Sequence, residues 1–385
     1  MTGAARSARL LFAGGGTGGH LFPAIAIADR VTELLGAGRS IDIRLVGTKR
    51  GLEYRIRESL GYPLDVISVR GLARSLTIKN LLVPFVLLGA MIKARSLLNR
   101  FRPHVVVGTG GYVSLPVLRM AAAAKIATVL QEQNSYPGIS SRKIAPHAAR
   151  VYLGFEGARR HLRTRGRVMV TGNPVRRSIT SGNRQEAVGV FGLDPRKKTI
   201  LVLGGSQGAR DLNAAILKGL KAASLPEGYQ LLWQTGKRGY KDVIAQAGEK
   251  VEPHSLFPFE ERMDLVYAAT DLAIARAGAL TLAELQACHI PAILIPYPFA
   301  AGDHQIKNAR EVADSGFAEI IEQAELDRCD LLERAVTVCR SGRADRMRES
   351  IIRATTDRKP AVDIIAEDLI DLLEQQQAWE GGVDS

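Results

Sequence analysis

Short runs of apolar residues alternate along the chain with stretches in which apolar positions recur every three or four residues. The short runs Leu10 to Ala13, Ile41 to Val46, Val105 to Val107, Val129 to Gln131 and Val168 to Val170 predict strands. Pro23 to Leu35 reads as a helix. The scheme then restarts, with Thr199 to Leu203 as a strand and Leu212 to Leu220 as a helix. Strands that alternate with helices predict βαβ units and parallel sheets. A last helical pattern, Ala361 to Leu373, runs into a polar tail.

Two strand–glycine–helix units, LLFAGGGTGGHLFPAIAIA and ILVLGGSQGARDLNAAI, start their glycines 190 residues apart, about half the chain. The expected fold class is α/β, with two Rossmann-like doubly wound domains. Ligands of such sheets bind at the carboxyl ends of the strands, so two domains facing each other enclose a cleft there. Asn-Pro is a turn signal and a helix breaker, which puts the join near Gly172-Asn173-Pro174. The division is then residues 1–172, residues 173–360, and a C-terminal helix and polar tail, 361–385, whose helix is expected to pack back on the first domain.

Composition adds exclusions. The 385 residues are 46% hydrophobic and 24% charged, as in an ordinary globular protein. Cys288, Cys329 and Cys339 are the only cysteines and form no CxxC pair, which removes a zinc ribbon, a disulfide framework and a thioredoxin-type site and fits a reducing compartment. Charge is lopsided: residues 1–176 hold 27 basic and 8 acidic residues, and residues 177–385 hold 25 and 31. No acidic residue occurs from Val66 to Gln131, against nine Lys or Arg. Such a field attracts a polyanion, an anionic bilayer surface or a phosphorylated substrate. The polar N-terminus leaves no room for the hydrophobic core of a secretory signal. The apolar run Leu81 to Ile92 has 12 residues, too few for a spanning helix, which needs roughly 20. Ringed by Arg70, Arg74, Lys79, Lys93, Arg95, Arg100 and Arg102, it reads either as a core helix or as a segment that dips into an anionic leaflet.

The chemistry falls in loops that follow strands. Gly14, Gly16 and Gly19 spell G-x-G-x-x-G, but Asp42 starts the second strand instead of ending it, against a dinucleotide site, and no Gly-Lys-Ser/Thr follows for a nucleotide loop of the Walker type. A backbone open to close approach remains, with His20 at a helix start as a candidate general base. Gly108 to Pro116 offers further amides. The loop Gly204 to Arg210, with Ser206, presents N–H groups at a helix start, suited to a diphosphate with no metal; no Asp-x-Asp cation motif occurs. Glu284, inside the helix that begins near Ala279, is either a solvated face residue or an acceptor for a ribose diol. Asp303, His304 and Gln305 suit sugar hydroxyls or a helix cap.

In order, GGGTGGH, GTGGYVS, EQN, GNPVR, GGSQGAR, RAGALTLAEL and DHQIKNA resemble the MurG-type transferases of peptidoglycan synthesis, over roughly Leu10 to Ile370. The resemblance implies a two-domain GT-B glycosyltransferase with an acceptor- and membrane-binding first half and a UDP-sugar-binding second half. It implies transfer of N-acetylglucosamine (GlcNAc) from UDP-GlcNAc to the 4-hydroxyl of undecaprenyl-linked lipid I, giving lipid II with inversion and with no cofactor or metal. By motif, Thr17, Gly18 and Gly19 lie near the sugar and acceptor diphosphate, and Asn134 and Gln305 contact GlcNAc. Ser206 holds the donor phosphates, Arg176 lies at the nucleotide end, and Glu284 holds the ribose. Ala279, Leu280, Thr281 and Leu282 approach through main-chain amides, and Glu260 grips uracil through main-chain atoms. The base is His20 or Glu132, with His20 favoured because imidazole titrates near neutral pH. The resemblance further implies a peripheral place on the cytoplasmic face of the bacterial plasma membrane, an anionic membrane surface and a cell-wall synthesis complex as partners, and a part in cell shape and division. The chain departs from the family pattern at Gln131, often histidine, at Leu115, glycine in some members, and at Glu260, more often apolar.

Three rivals stay open on the residues alone: a dinucleotide oxidoreductase, a basic nucleic-acid-binding module, and a transferase of this fold with another nucleotide sugar or a diacylglycerol acceptor. Only 5% of residues are aromatic, which disfavours a stacking surface for nucleic acid.

Overall fold

The computed structural model describes residues 7–69, 83–205, 209–223, 225–248 and 255–379. The chain forms two compact units, residues 1–176 with 359–385, and residues 177–358.

The first unit is built on seven parallel strands: β1 (Ala8–Gly14), β2 (Ile41–Gly47), β3 (Leu64–Val66), β4 (Val105–Gly110), β5 (Ala127–Glu132), β6 (Arg150–Leu153) and β7 (Arg167–Val170). Their order is β3-β2-β1-β4-β5-β6-β7. The central strands read as unbroken apolar runs because both faces are covered. Along β1, Leu10 and Phe12 point into a core shared with the helices Gly18–Leu35 and Ala361–Gln375. Leu11 and Ala13 point the other way, into a core shared with the helices Val83–Phe101 and Ser114–Ala123. Period-two alternation thus divides one apolar run between two cores.

The second unit repeats the plan with β8 (Lys198–Leu203), β9 (Tyr229–Gln234), β10 (Leu256–Phe257), β11 (Leu272–Ala275), β12 (Ala292–Leu294) and β13 (Ala318–Ile320), in the order β10-β9-β8-β11-β12-β13. Both orders reverse direction once, between β1 and β4 and between β8 and β11. Loops at the carboxyl ends of those pairs diverge and leave a crevice for a ligand.

Two differences from the sequence pattern have physical causes. The first helix begins at Gly18, a turn before Pro23. Proline lacks an N–H, so the Gly19 carbonyl gains no helical partner from it, a loss confined to the loop end of the helix. The units divide beyond Asn173 because its side chain is buried in the first unit, where it bonds Gln131 and Gln133.

Candidate active site

The loop after β1 is shaped by a carboxylate. Glu53, in the short helix Leu52–Arg55, is 0% exposed. Its Oε2 accepts the Gly16 N–H at 2.7 Å, and its Oε1 accepts the Thr48 N–H at 2.7 Å and the Thr48 hydroxyl at 3.2 Å. A Cβ on Gly15, Gly47 or Gly51 would come within 2.6 Å of that side chain, so these glycines are the space it fills. Thr17 is the N-cap residue, and Gly18, Gly19 and His20 open the helix. The His20 and Leu21 N–H groups donate to Thr17 O, which leaves those of Gly18 and Gly19 as the helix-end donors.

His20 is half-buried. Its Nδ1 lies 3.0 Å from Thr109 O and 3.0 Å from Gln133 Oε1, while the Thr109 hydroxyl donates to His20 O at 2.7 Å. Gly110, at φ +103°, makes room: a Cβ there would sit 2.6 Å from Nδ1. Glu132, at the buried end of β5, is committed to its own loop. Its Oε1 accepts the Asn134 N–H at 2.9 Å and Asn134 Nδ2 at 3.2 Å, and its Oε2 accepts the Gly138 N–H at 3.3 Å. Arg176 closes the first unit with its guanidinium 4.6 Å from the Phe22 ring centroid, and its buried Nε has no partner among the described residues. Thr17 to His20, Glu132, Asn134 and Arg176 therefore all lie at or beyond the carboxyl ends of first-unit strands.

In the second unit, Gly204 and Gly205 follow β8, and Ser206 lies outside the described residues. The helix Ala279–Ala287 starts behind β11, with Gly278 as its N-cap residue. Leu282 N–H donates to Gly278 O at 3.0 Å, so of the four residues from Ala279 to Leu282 only Ala279, Leu280 and Thr281 present helix-end amides. Glu284 is buried and accepts the Tyr267 hydroxyl at 2.8 Å. Burial, aided by the Glu284 charge, pushes the nearby Cys288 thiol up to about 12. Glu260 uses its side chain locally, with Oε1 accepting the Glu261 and Arg262 N–H groups at 2.8 Å each. Its own N–H donates to Gln234 Oε1 at 3.1 Å, leaving its carbonyl as the main-chain group for a base. Gln305 Oε1 accepts the Tyr297 N–H at 3.0 Å and ties down the loop after β12. His304 Nδ1 contacts Ala301 O at 2.7 Å, a cap contact.

Sequence reasoning passed over several residues. Arg276, inside the RAGALT stretch, is buried and donates to Ile295 O at 3.0 Å, with its guanidinium 5.5 Å from the Tyr297 ring centroid. It joins the loops after β11 and β12, and burial lowers its pKa from the usual arginine value. Glu53 and Tyr267 carry no motif, the cluster of glycines around Glu53 being the one available signal, while Gln133 and Asn173 fall inside EQN and GNPVR with no role of their own assigned to them. Among the described residues no group of three or more His, Cys, Asp or Glu could hold a metal ion.

Two parallel sheets in Rossmann order, each with helix starts at its switch point, have the architecture of the GT-B fold, and the matched family makes the chain a glycosyltransferase of that fold. Residues 10–153 match the glycosyltransferase family 28 N-terminal domain and residues 199–365 the C-terminal domain of that family. The UDP-N-acetylglucosamine–N-acetylmuramyl-(pentapeptide) pyrophosphoryl-undecaprenol N-acetylglucosamine transferase of Chlorobium limicola is 42% identical, over 83% of this chain and 86% of that protein. The protein of the same name from Halothermothrix orenii is 41% identical over the same shares. The crystal structure of Acinetobacter baumannii MurG superposes with a TM-score of 0.70 at 26% identity, covering 96% of this chain and 99% of that one. The chain belongs to this family, the MurG-type N-acetylglucosamine transferases.

Proposed function

We propose that the chain moves GlcNAc from UDP-GlcNAc to the 4-hydroxyl of the N-acetylmuramyl sugar of lipid I, forming lipid II for peptidoglycan. The observation that carries this is the 42% identity to a relative of that name across more than four-fifths of both chains. In this reading the acceptor hydroxyl attacks the anomeric carbon from the face opposite UDP, which inverts it. His20 takes the hydroxyl proton, and Glu132 keeps its loop in shape. The Gly18 and Gly19 amides lie toward the acceptor diphosphate. On the donor side the amides of Ala279, Leu280 and Thr281, with the Ser206 loop, take up charge as UDP departs, assisted by the helix dipole. Leu282 packs that turn. Glu284 holds the ribose, Glu260 the uracil through its carbonyl, Asn134 and Gln305 the GlcNAc, and Arg176 the nucleotide end. This division of charge asks for no metal or other cofactor. Radiolabelled UDP-GlcNAc with a short-chain lipid I analogue is expected to give labelled lipid II at the same rate with and without a chelator. Absence of transfer overturns the function, and loss of transfer on chelation overturns the metal-free mechanism.

The chain is further read as a peripheral protein of the cytoplasmic membrane face. No helix among the described residues is long and apolar enough to cross a membrane. Instead the helix Val83–Phe101 is two-faced: Ala90, Ala94, Leu97 and Leu98 are buried, while Phe85, Leu88 and Ile92 are 72%, 58% and 63% exposed. Of the run singled out in the sequence, Leu81 and Leu82 lie outside the described residues, as do Arg70, Arg74 and Lys79. An exposed apolar stripe with Lys93 and Arg95 on the same helix supports shallow insertion into an anionic leaflet. Replacing Phe85 or Leu88 by Asp is expected to weaken co-sedimentation with anionic vesicles about tenfold or more. Unchanged binding removes the stripe from the contact. Membership of a cell-wall synthesis complex, with a part in cell shape and division, belongs to the same proposal and is compatible with this location.

A further inference from the structure

We propose that Gln133 is a positioning residue that fixes which nitrogen of His20 carries the proton, and that a buried chain of amide side chains, Asn173–Gln131–Gln133, fixes Gln133 in turn. The proposal rests on reading His20 as the base and adds what decides whether its ring can act as one. An imidazole accepts a proton only at the nitrogen that lacks one, and the hydrogen bond made by the other nitrogen decides which that is.

The chain has a single polarity, set by main-chain carbonyls that can only accept. Asn173 Nδ2 donates to Gln133 O at 2.9 Å, so Asn173 turns its Oδ1 to Gln131. Gln131 Nε2 donates to that oxygen at 3.1 Å, so Gln131 turns its Oε1 to Gln133. Gln133 Nε2 faces three oxygens, Gln131 Oε1, Gln131 O at 3.1 Å and Thr109 O at 2.7 Å, which share its two hydrogens. Reversing the Gln133 amide would set its oxygen against three other oxygens. Held this way, Gln133 presents Oε1 to His20 Nδ1 at 3.0 Å, beside the Thr109 carbonyl, also at 3.0 Å. Both neighbours of Nδ1 accept, so Nδ1 carries the hydrogen and Nε2 carries the lone pair. The same two oxygens stabilise the imidazolium that forms when Nε2 takes the acceptor's proton. Gln131, Gln133 and Asn173 are all buried, so water does not compete for these bonds. Free imidazole side chains in water favour the opposite arrangement, with the hydrogen on Nε2, so the protein reverses the default.

Protein labelled with 15N in its seven histidines tests this by long-range proton–nitrogen spectra, with His20 assigned from the signal lost in His20→Ala. At a pH where His20 is neutral, the wild-type ring is expected to show a protonated Nδ1 and an unprotonated Nε2. In Gln133→Met the tautomer balance is expected to move toward Nε2–H. Turnover at saturating substrate should fall about tenfold or more, with the KM for UDP-GlcNAc changed less than about twofold. Gln131→Met, which leaves His20 and its two acceptors in place, is expected to move both readouts in the same direction by less, and it serves if Gln133→Met does not fold. A wild-type ring protonated at Nε2, or a Gln133→Met protein with wild-type tautomer and turnover, overturns the proposal. A ring protonated at Nδ1 whose balance moves in Gln133→Met, together with undiminished turnover of His20→Ala, supports the hold of Gln133 on the ring and removes only the reading of His20 as base.

Discussion

His20→Ala is expected to lower turnover by about 10²–10⁴-fold, the usual contribution of general base catalysis, while UDP-GlcNAc binding is kept. That loss corresponds to about 3–5 kcal/mol of transition-state stabilisation. Binding is kept because the donor contacts assigned above lie mostly in the second unit, whereas His20 opens the first helix of the first unit. The loop itself survives the substitution: Thr109 donates to the main-chain carbonyl at position 20, and Glu53 holds Gly16 independently of the ring. Glu132 cannot give the same signature. Its two oxygens accept from the half-buried Asn134 and the exposed Gly138, so removing it strips both N–H groups of the carboxylate that ties their loop together. Each such hydrogen bond contributes about 0.5–1.5 kcal/mol, and Glu132→Ala should lose folding stability along with activity. Steady-state kinetics beside donor titration separates the two: a turnover loss below about tenfold for His20→Ala removes His20 as the base.

The glycine loops were legible because strand, glycine and helix stand next to one another in the chain, and the switch-point rule places such loops at a ligand without any contact being known. The two-faced helix was half legible. Phe85, Leu88 and Ile92 recur at helical spacing, yet an apolar run does not say which of its faces meets the core; only the packing of Ala90, Ala94 and Leu97 decides it. What stayed hidden acts across long sequence separations. Glu53 sits in LEYR, a stretch with no motif, and bonds an amide 37 residues away. Asn173 looked like part of a turn, and its amide reaches Gln131 across 42 residues. Arg276 was masked by its own motif, since RAGALT drew notice for its amides and not for the cation that braces them.

Deleting residues 359–385 is expected to leave the first unit unfolded. The helix Ala361–Gln375, far from the first unit in the chain, completes its core. Ile365, Leu369, Leu372 and Leu373 are buried among Leu10, Phe12, Ile27 and Val31. Burying each such side chain stabilises by about 1.5–3 kcal/mol, so these four alone supply a sum comparable to the whole stability of a domain, about 5–15 kcal/mol. Polar losses add to it. Asp368 accepts the buried Tyr152 hydroxyl at 2.7 Å and Arg167 Nη1 at 3.0 Å, and Asp363 accepts Arg30 Nε at 2.6 Å. Without the helix, Tyr152 of β6 loses both its acceptor and the apolar cover over its ring. Leu369→Ala is the milder probe: a buried leucine truncated to alanine costs about 2–5 kcal/mol, which lowers the Tm of a unit of this size by roughly 4–20 °C. Limited proteolysis of the truncated chain should digest residues 1–176 under conditions that spare the full chain. A truncated protein whose first unit resists protease and melts cooperatively at the full-length temperature would show that the helix covers the core without holding it together.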